Sequence, residues 1–199
     1  MPESVEGADR YESGVGGGLL AVSLRVFERQ KALADHAIGQ MGDRDFFIPP
    51  GPGLNSVAVL MRHMSGNIKS RWTDFLTTDG EKEWRDRDEE FVPPEPETVE
   101  TRESITREWD AAWRLLFETL RSLTPDDLGR DVPIRGVPHS VEAAIVRQID
   151  HLAGHVGQIA VIARTHVGTE NWTWFTIAPG GTRAFNERLR DRAGGAPGG

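Results

Sequence analysis

The chain has 199 residues, enough for one ordinary domain with a single core and short for two. With 38% hydrophobic residues, 27% charged residues and a net charge of −8, the composition is that of a soluble globular protein, and the acidic balance argues against a nucleic-acid partner. There is no cysteine, so no disulfide, thiolate ligand or thiolate nucleophile is available, and any thiol chemistry needs a thiol from outside the chain.

Residues 1–18 are polar and glycine-rich, ending in Gly16-Gly17-Gly18, and lack the basic start and apolar core of a signal peptide. They read as a disordered tail, as do residues 191–199, with one domain over 19–190 between them. No stretch approaches the ~20 apolar residues of a membrane span, so the expectation is a cytoplasmic protein without a membrane partner.

Four segments carry helical periodicity. The first runs from about Leu19 to Met41 on Leu20, Leu24, Phe27, Leu33 and Ile38, and Pro49, Pro50 and Pro52 follow it as an extended loop. The second starts after Asn55 or Ser56, either a good N-cap, and reaches about Leu76. Its stripe is Val57, Leu60, Met61, Met64, Ile68, Trp72 and Phe75, and Asp79-Gly80 stops it. A charged connection from about Asp79 to Thr98 is long for a bundle loop and long enough to cross the bundle, so the second and third helices need not be antiparallel neighbours. Within it, Arg85-Asp86-Arg87-Asp88-Glu89-Glu90 reads as a solvated segment.

The third helix spans about Thr101 to Leu123, with Ile105, Trp109, Trp113, Leu116, Phe117 and Leu120 inward. Asp131 to Pro138 reads as extended chain or a short hairpin. Ser140, with Glu142 in the first turn, opens a fourth helix reaching about Arg164. The aromatic run Trp172-Thr173-Trp174-Phe175 and a short helix from Thr182 to Arg190 form a C-terminal appendage. The fold class is therefore all-α: a four-helix bundle with a long crossover between its second and third helices.

Six histidines are present, and three of them belong together. His151 and His155 are four residues apart, so both imidazoles leave the fourth helix from nearly one strip, and Leu152, Val156 and Ile159 place that strip at the buried face. His63 sits on the second helix among Leu60, Met61 and Met64. Each alone is more often a satisfied core histidine, but half-buried imidazoles on two core helices resolve their burial together by turning toward one ion. His139 and His166 lie too far along the helix axis from the pair, and nothing recommends His36. The HExxH metalloprotease signature is missing, because residues 151–155 read His-Leu-Ala-Gly-His. No Glu stands three residues before any histidine, which removes the carboxylate di-iron bundle. Haem held by two histidines is the competing use of such a bundle, but three histidines at this spacing favour one mononuclear site.

Asn67, four residues beyond His63, and Arg147, four before His151, lie on nearly the same strips as those histidines. Asn67 is placed to orient a ligand, and Arg147 to pair with a substrate carboxylate or to extend outward as a surface residue.

His63, the His151-x-x-x-His155 pair and the long connection resemble the DinB superfamily of YfiT-like metal-binding bundles. The runs Leu60 to Asn67, Arg71-Trp72-Thr73-Asp74-Phe75-Leu76 and His155-Val156-Gly157-Gln158-Ile159 resemble one branch of it. The resemblance covers about residues 24 to 188. It implies a four-helix bundle, a three-histidine site for one divalent ion such as nickel or zinc, and a homodimer. Some members of the superfamily use low-molecular-weight thiols as cosubstrates in transferase or isomerase reactions, and many have no established activity.

Three nitrogen ligands leave a coordination position for water or substrate, the pattern of catalytic rather than closed structural sites. The first functional expectation is thus a metal-dependent enzyme on a small-molecule substrate, either a thiol-dependent transferase or a hydrolase. The second is a non-catalytic bundle whose ion staples the helices. The third is a helical interaction module with incidental histidines.

Overall fold

The computed structural model describes residues 18–93 and 101–194. The readings placed on residues 1–17, on 94–100 within the long connection and on 195–199 lie outside the described residues. The helices are α1 (Leu19–Gly39), α2 (Asp43–Phe46), α3 (Val57–Trp72), α4 (Arg102–Ser122), α5 (Val141–Val167) and α6 (Thr182–Gly194). Strands β1 (Asp131–Ile134) and β2 (Val137–Ser140) form a hairpin before α5. The four expected bundle helices are α1, α3, α4 and α5.

Local chemistry sets their starts. Ser56 Oγ accepts from the Val59 amide, Ser140 Oγ from the Ala143 amide, and Thr101 forms a reciprocal capping box with Ser104. Two boundaries and one additional helix depart from the periodic pattern. The helix α3 stops at Trp72, before Leu76, because Asp74 turns into the left-handed region at φ 50° and its carbonyl takes the amides of Thr77 and Thr78. The one-turn α2, too short for a period to show, buries Phe46 completely against the core. The helix α6 continues to Gly194, four residues beyond Arg190.

The core is a layer of large side chains shared by all four bundle helices, including Phe27, Leu60, Met64, Ile68, Trp72, Trp109, Trp113, Leu116, Ile145 and Leu152, all at 1% exposure or less. Phe27 meets Trp72 and Trp113 edge-to-face at centroid distances of 6.4 and 6.5 Å. Side-chain ties fix the helix directions. Arg102 at the start of α4 donates to the Ile38 and Met41 carbonyls at the end of α1, and Arg121 pairs with Glu28, so α1 and α4 are antiparallel. Gln30 reaches the Ile149 carbonyl and His166 the Ile48 carbonyl, so α1 and α5 run together.

On the other side, His63 meets His151 while Asn67 meets Gln148, so α3 and α5 are antiparallel. Lys69 pairs with Glu108 and Thr119 reaches the Trp72 carbonyl, so α3 and α4 are neighbours running in the same direction. Parallel neighbours need a connection that returns along the bundle, and the described part of the segment after α3 runs back as far as Arg62. Its 3-10 turn Glu89–Phe91 packs on α3. Covered by α4, α5 and this crossover, α3 is buried nearly all round, polar residues included.

Candidate metal centre

The strip His63, Asn67, Arg71 on α3 faces the strip Arg147, His151, His155 on α5, each spaced by four residues. Antiparallel packing brings the three histidines to one point. Nε2 of His151 lies 3.3 Å from Nε2 of His63 and 3.2 Å from Nε2 of His155, and one ring nitrogen from each residue falls within a 4.8 Å cluster. Two nitrogens at that separation subtend an angle of ~100° at an ion ~2.1 Å from both, close to tetrahedral. No fourth His, Asp or Glu among the described residues joins the cluster.

The outer nitrogens determine what the inner ones offer. Nδ1 of His63 is 2.9 Å from Oε2 of Glu90, and a carboxylate only accepts, so Nδ1 carries a proton and in the neutral ring Nε2 presents a lone pair. Nδ1 of His155 likewise faces the Gln158 side-chain oxygen at 3.3 Å, leaving its Nε2 bare. Two lone pairs thus point at the His151 Nε2. His151 has at most one ring proton to offer two acceptors, while its buried Nδ1 has no hydrogen-bond partner. Three imidazole nitrogens converging on one point fit a divalent cation, and an all-imidazole donor set suits a first-row transition ion.

Glu90 and Arg85 correct the expectation of a solvated charged run at residues 85–90. The Arg85 side chain is 2% exposed and that of Glu90 11% exposed, and the guanidinium grips the carboxylate through Nε at 2.7 Å and Nη2 at 2.8 Å. Arg62 fastens the turn to α3 by donating to the Glu89 and Val92 carbonyls, both at 2.8 Å. Phe91 lies over the His63 ring with centroids 4.5 Å apart. The crossover therefore delivers the carboxylate that orients His63, an arrangement that fixes the tautomer and raises ligand basicity in carboxylate–histidine–metal sites. Asp86, Arg87, Asp88 and Glu89 of the run are exposed, as expected.

Electrostatics favour the ligating form of two of the three rings. Burial, followed by repulsion from His155, His63, Arg71 and Arg85, lowers His151 to about 3. Burial and His63 lower His155 as well, against the opposing hydrogen bond that its Nδ1 donates to Gln158. Burial alone would raise Glu90, but the hydrogen bonds from Arg85 and His63 outweigh it and hold the carboxyl below its usual range. Neutral imidazoles and an ionised orienting carboxylate are the states a metal requires.

The cluster opens onto a cavity of about 420 Å³. Asn67 and Arg147 both line it. Asn67 is buried and its Oδ1 accepts from Gln148 Nε2 at 3.0 Å, whereas Arg147 is exposed at the rim. The periodic reading overlooked Arg71, a buried residue of the same wall, although the spacing from His63 through Asn67 to position 71 was there to find it. Burial lowers Arg71 to about 10, with Glu81 opposing and Arg147, Arg85 and Arg135 reinforcing, so it remains a cation at neutral pH. The other histidines are structural: His36 bonds to the Thr173 carbonyl, His139 to that of Val137 and His166 to that of Ile48. Among the described residues no helix is long and apolar enough to cross a membrane.

The model of the family described as "Protein of unknown function (DUF1572)" matches residues 15–181. A comparison with curated proteins gave no match. Among solved structures, the chain is similar to a conserved protein from Enterococcus faecalis, with 19% identity and a TM-score of 0.58 over 77% of this chain and 100% of that one. It is also similar to YfiT from Bacillus subtilis, described as a probable metal-dependent hydrolase with an unusual four-helix bundle topology. There the identity is 17% and the TM-score 0.54, over 78% of this chain and 91% of that one. At these identities the likeness establishes the fold, a four-helix bundle of the YfiT kind. Taken with the match along most of its length, it follows that the chain belongs to the DUF1572 family, a DinB-like family, and so to the DinB superfamily.

Proposed function

We propose that this protein is a metal-dependent enzyme, a hydrolase or a thiol-dependent transferase, whose single divalent ion is held by Nε2 of His63, His151 and His155. The observation that carries this reading is the convergence of three imidazole nitrogens at the wall of an open cavity, with no fourth His, Asp or Glu in the cluster among the described residues. A structural ion is usually enclosed by four protein ligands, and three plus an open side is the catalytic pattern. When bound, the ion supplies a Lewis acid that acidifies and orients whatever occupies its open position.

The chain's own residues account for the rest. Glu90, held by Arg85, keeps the Nδ1 proton on His63 and aims that ring. Gln158 does the same for His155. Phe91 covers the His63 ring and restricts water on that side, and Asn67, tied to Gln148, presents its amide at the cavity wall to orient a bound molecule. The description of YfiT as a probable metal-dependent hydrolase supports the hydrolytic branch. The thiol branch requires a free low-molecular-weight thiol as cosubstrate, since the chain has no cysteine. Nickel or zinc as the ion and a homodimeric assembly complete the reading, and metal analysis and light scattering test them.

The deciding experiment offers an activated ester and an alkylating electrophile to nickel- or zinc-loaded protein, with and without a panel of cellular thiols. Metal-dependent turnover of the ester without thiol assigns the hydrolase, and consumption of the electrophile only when metal and thiol are both present assigns the transferase. No metal-dependent turnover with the ion bound would overturn the enzymatic reading in favour of an ion that only staples α3 to α5.

A further inference from the structure

The cavity beside the three histidines is lined by five arginines, Arg71, Arg85, Arg87, Arg135 and Arg147, in a chain whose net charge is −8. Three of these have carboxylate partners: Arg85 grips Glu90, Arg135 pairs with Glu81 at 2.9 Å and Arg87 lies 3.8 Å from Asp88. Among the described residues, Arg71 and Arg147 form no ion pair. The one acid in the lining, Asp150, pairs with neither.

Arg71 is the informative member. Its residue is 7% exposed, it lines the cavity, and its buried Nη1 has no hydrogen-bond partner. A buried cation without a partner is costly, and one that lines an open cavity is placed to be completed by a bound anion. The surroundings hold the side chain in place. It lies directly on Gly80, where an added Cβ would come within 2.8 Å of Arg71 Cδ and 2.9 Å of Nη1. Gly80 is fixed in turn, since its carbonyl accepts from Ser70 Oγ at 2.8 Å and its amide donates to the Pro133 carbonyl at 2.8 Å. Next to it, Asp79 accepts from the amides of Arg135 and Gly136 at 2.8 and 2.7 Å, holding the tip of the hairpin at the cavity with Arg135 in the left-handed region at φ 55°. Loop and hairpin are thus built around a guanidinium that forms no ion pair among the described residues, the Glu81 carboxylate that acts on it from farther away being paired with Arg135.

We propose that the enzyme takes a small oxyanionic substrate, one bearing a carboxylate or phosphate group, which Arg71 at the cavity wall and Arg147 at its rim hold while the reacting end faces His63, His151 and His155. Planar guanidinium groups match both oxyanions through paired N–H donors. This rests on the metal-enzyme reading for the position of the reacting end, and the Arg71–Arg147 pair itself does not depend on a bound ion.

The test is calorimetric titration of the full chain with succinate and, separately, with inorganic phosphate at constant ionic strength. Each titration is made on metal-loaded protein and again after chelation and dialysis. The expected result is saturable binding of at least one of the two, at one site per chain, persisting without metal and weakened at least tenfold by Arg71→Gln and by Arg147→Gln. The surface change Arg121→Gln should leave it intact. Which anion binds separates carboxylate from phosphate as the recognised group. Should Arg71→Gln fail to fold, Arg147→Gln on the exposed face of α5 decides the matter alone. Absence of saturable binding, or binding indifferent to Arg147→Gln, overturns the proposal. So does binding that needs the metal and disappears in the His151→Ala, His155→Ala double variant while ignoring both arginine changes; the anion would then be a ligand of the ion, with the metal centre upheld. Arginine-dependent anion binding by a protein that takes up no metal would support the anion site and overturn the metal-enzyme reading instead.

Discussion

Gly66 lies directly against the carboxylate of Glu90, so that a methyl group at position 66 would overlap Oε1. The same carboxylate orients His63, three residues earlier on α3, which makes this glycine part of the support of the metal centre. Alanine is intrinsically the better helix residue, so any loss on Gly66→Ala comes from Glu90 and not from helix propensity. The expected outcome is a ~10-fold or greater loss of metal affinity, as for other residues that orient a ligand. Glu90→Gln should give a loss of similar size. Competition with a chromophoric chelator measures both, and an unchanged affinity in both variants would remove Glu90 from the centre.

Arg85 should matter to the fold itself. The Arg85–Glu90 pair is almost wholly enclosed, and deleting Arg85 leaves the buried Glu90 carboxylate with the His63 N–H as its one remaining side-chain partner among the described residues. Arg85→Met is expected to destabilise the chelated protein by about 3 kcal/mol in urea unfolding. The double change Arg85→Met, Glu90→Leu should recover a large part of that loss, because both charges are then gone. A single variant as stable as wild type would mean that the pair is solvated in solution.

The metal-free protein should also lose stability in mild acid. His151 is held neutral down to about 3, first by burial and then by its charged neighbours, while an unfolded histidine titrates near ~6.5. Between those values the unfolded chain binds a proton that the folded chain refuses, so this contribution is complete above about pH 6.5 and shrinks as pH falls toward 3. Comparing urea midpoints at about pH 7.5 and about pH 5 should show a larger drop for chelated wild type than for His151→Asn. Equal drops would mean that His151 accepts its proton freely in the fold.

Much of this site could be read from the chain before any fold was known. The bundle helices follow from stripes such as Val57, Leu60, Met64 and Ile68, all buried, and from Ser140 and one of the pair Asn55 and Ser56 as caps, the structure choosing Ser56. The triad follows from spacing, because positions four apart on a helix share a face and the apolar neighbours say which face is buried. Glu90 and Arg85 were not legible in this way. Alternating charges look the same whether solvated or paired in the interior, and their contact with His63 is made across 27 residues by a crossover with no periodicity to place it. Arg71 was half legible: its spacing from His63 was visible, but its burial depends on Gly80 and the hairpin folding over it.

The most direct test of the metal centre is elemental analysis of protein purified without an affinity tag or added metal. The account predicts about one divalent ion per chain in the wild type and none in the His151→Ala, His155→Ala variant, because one remaining imidazole cannot hold what three hold together. Full retention of the ion in that double variant would contradict it.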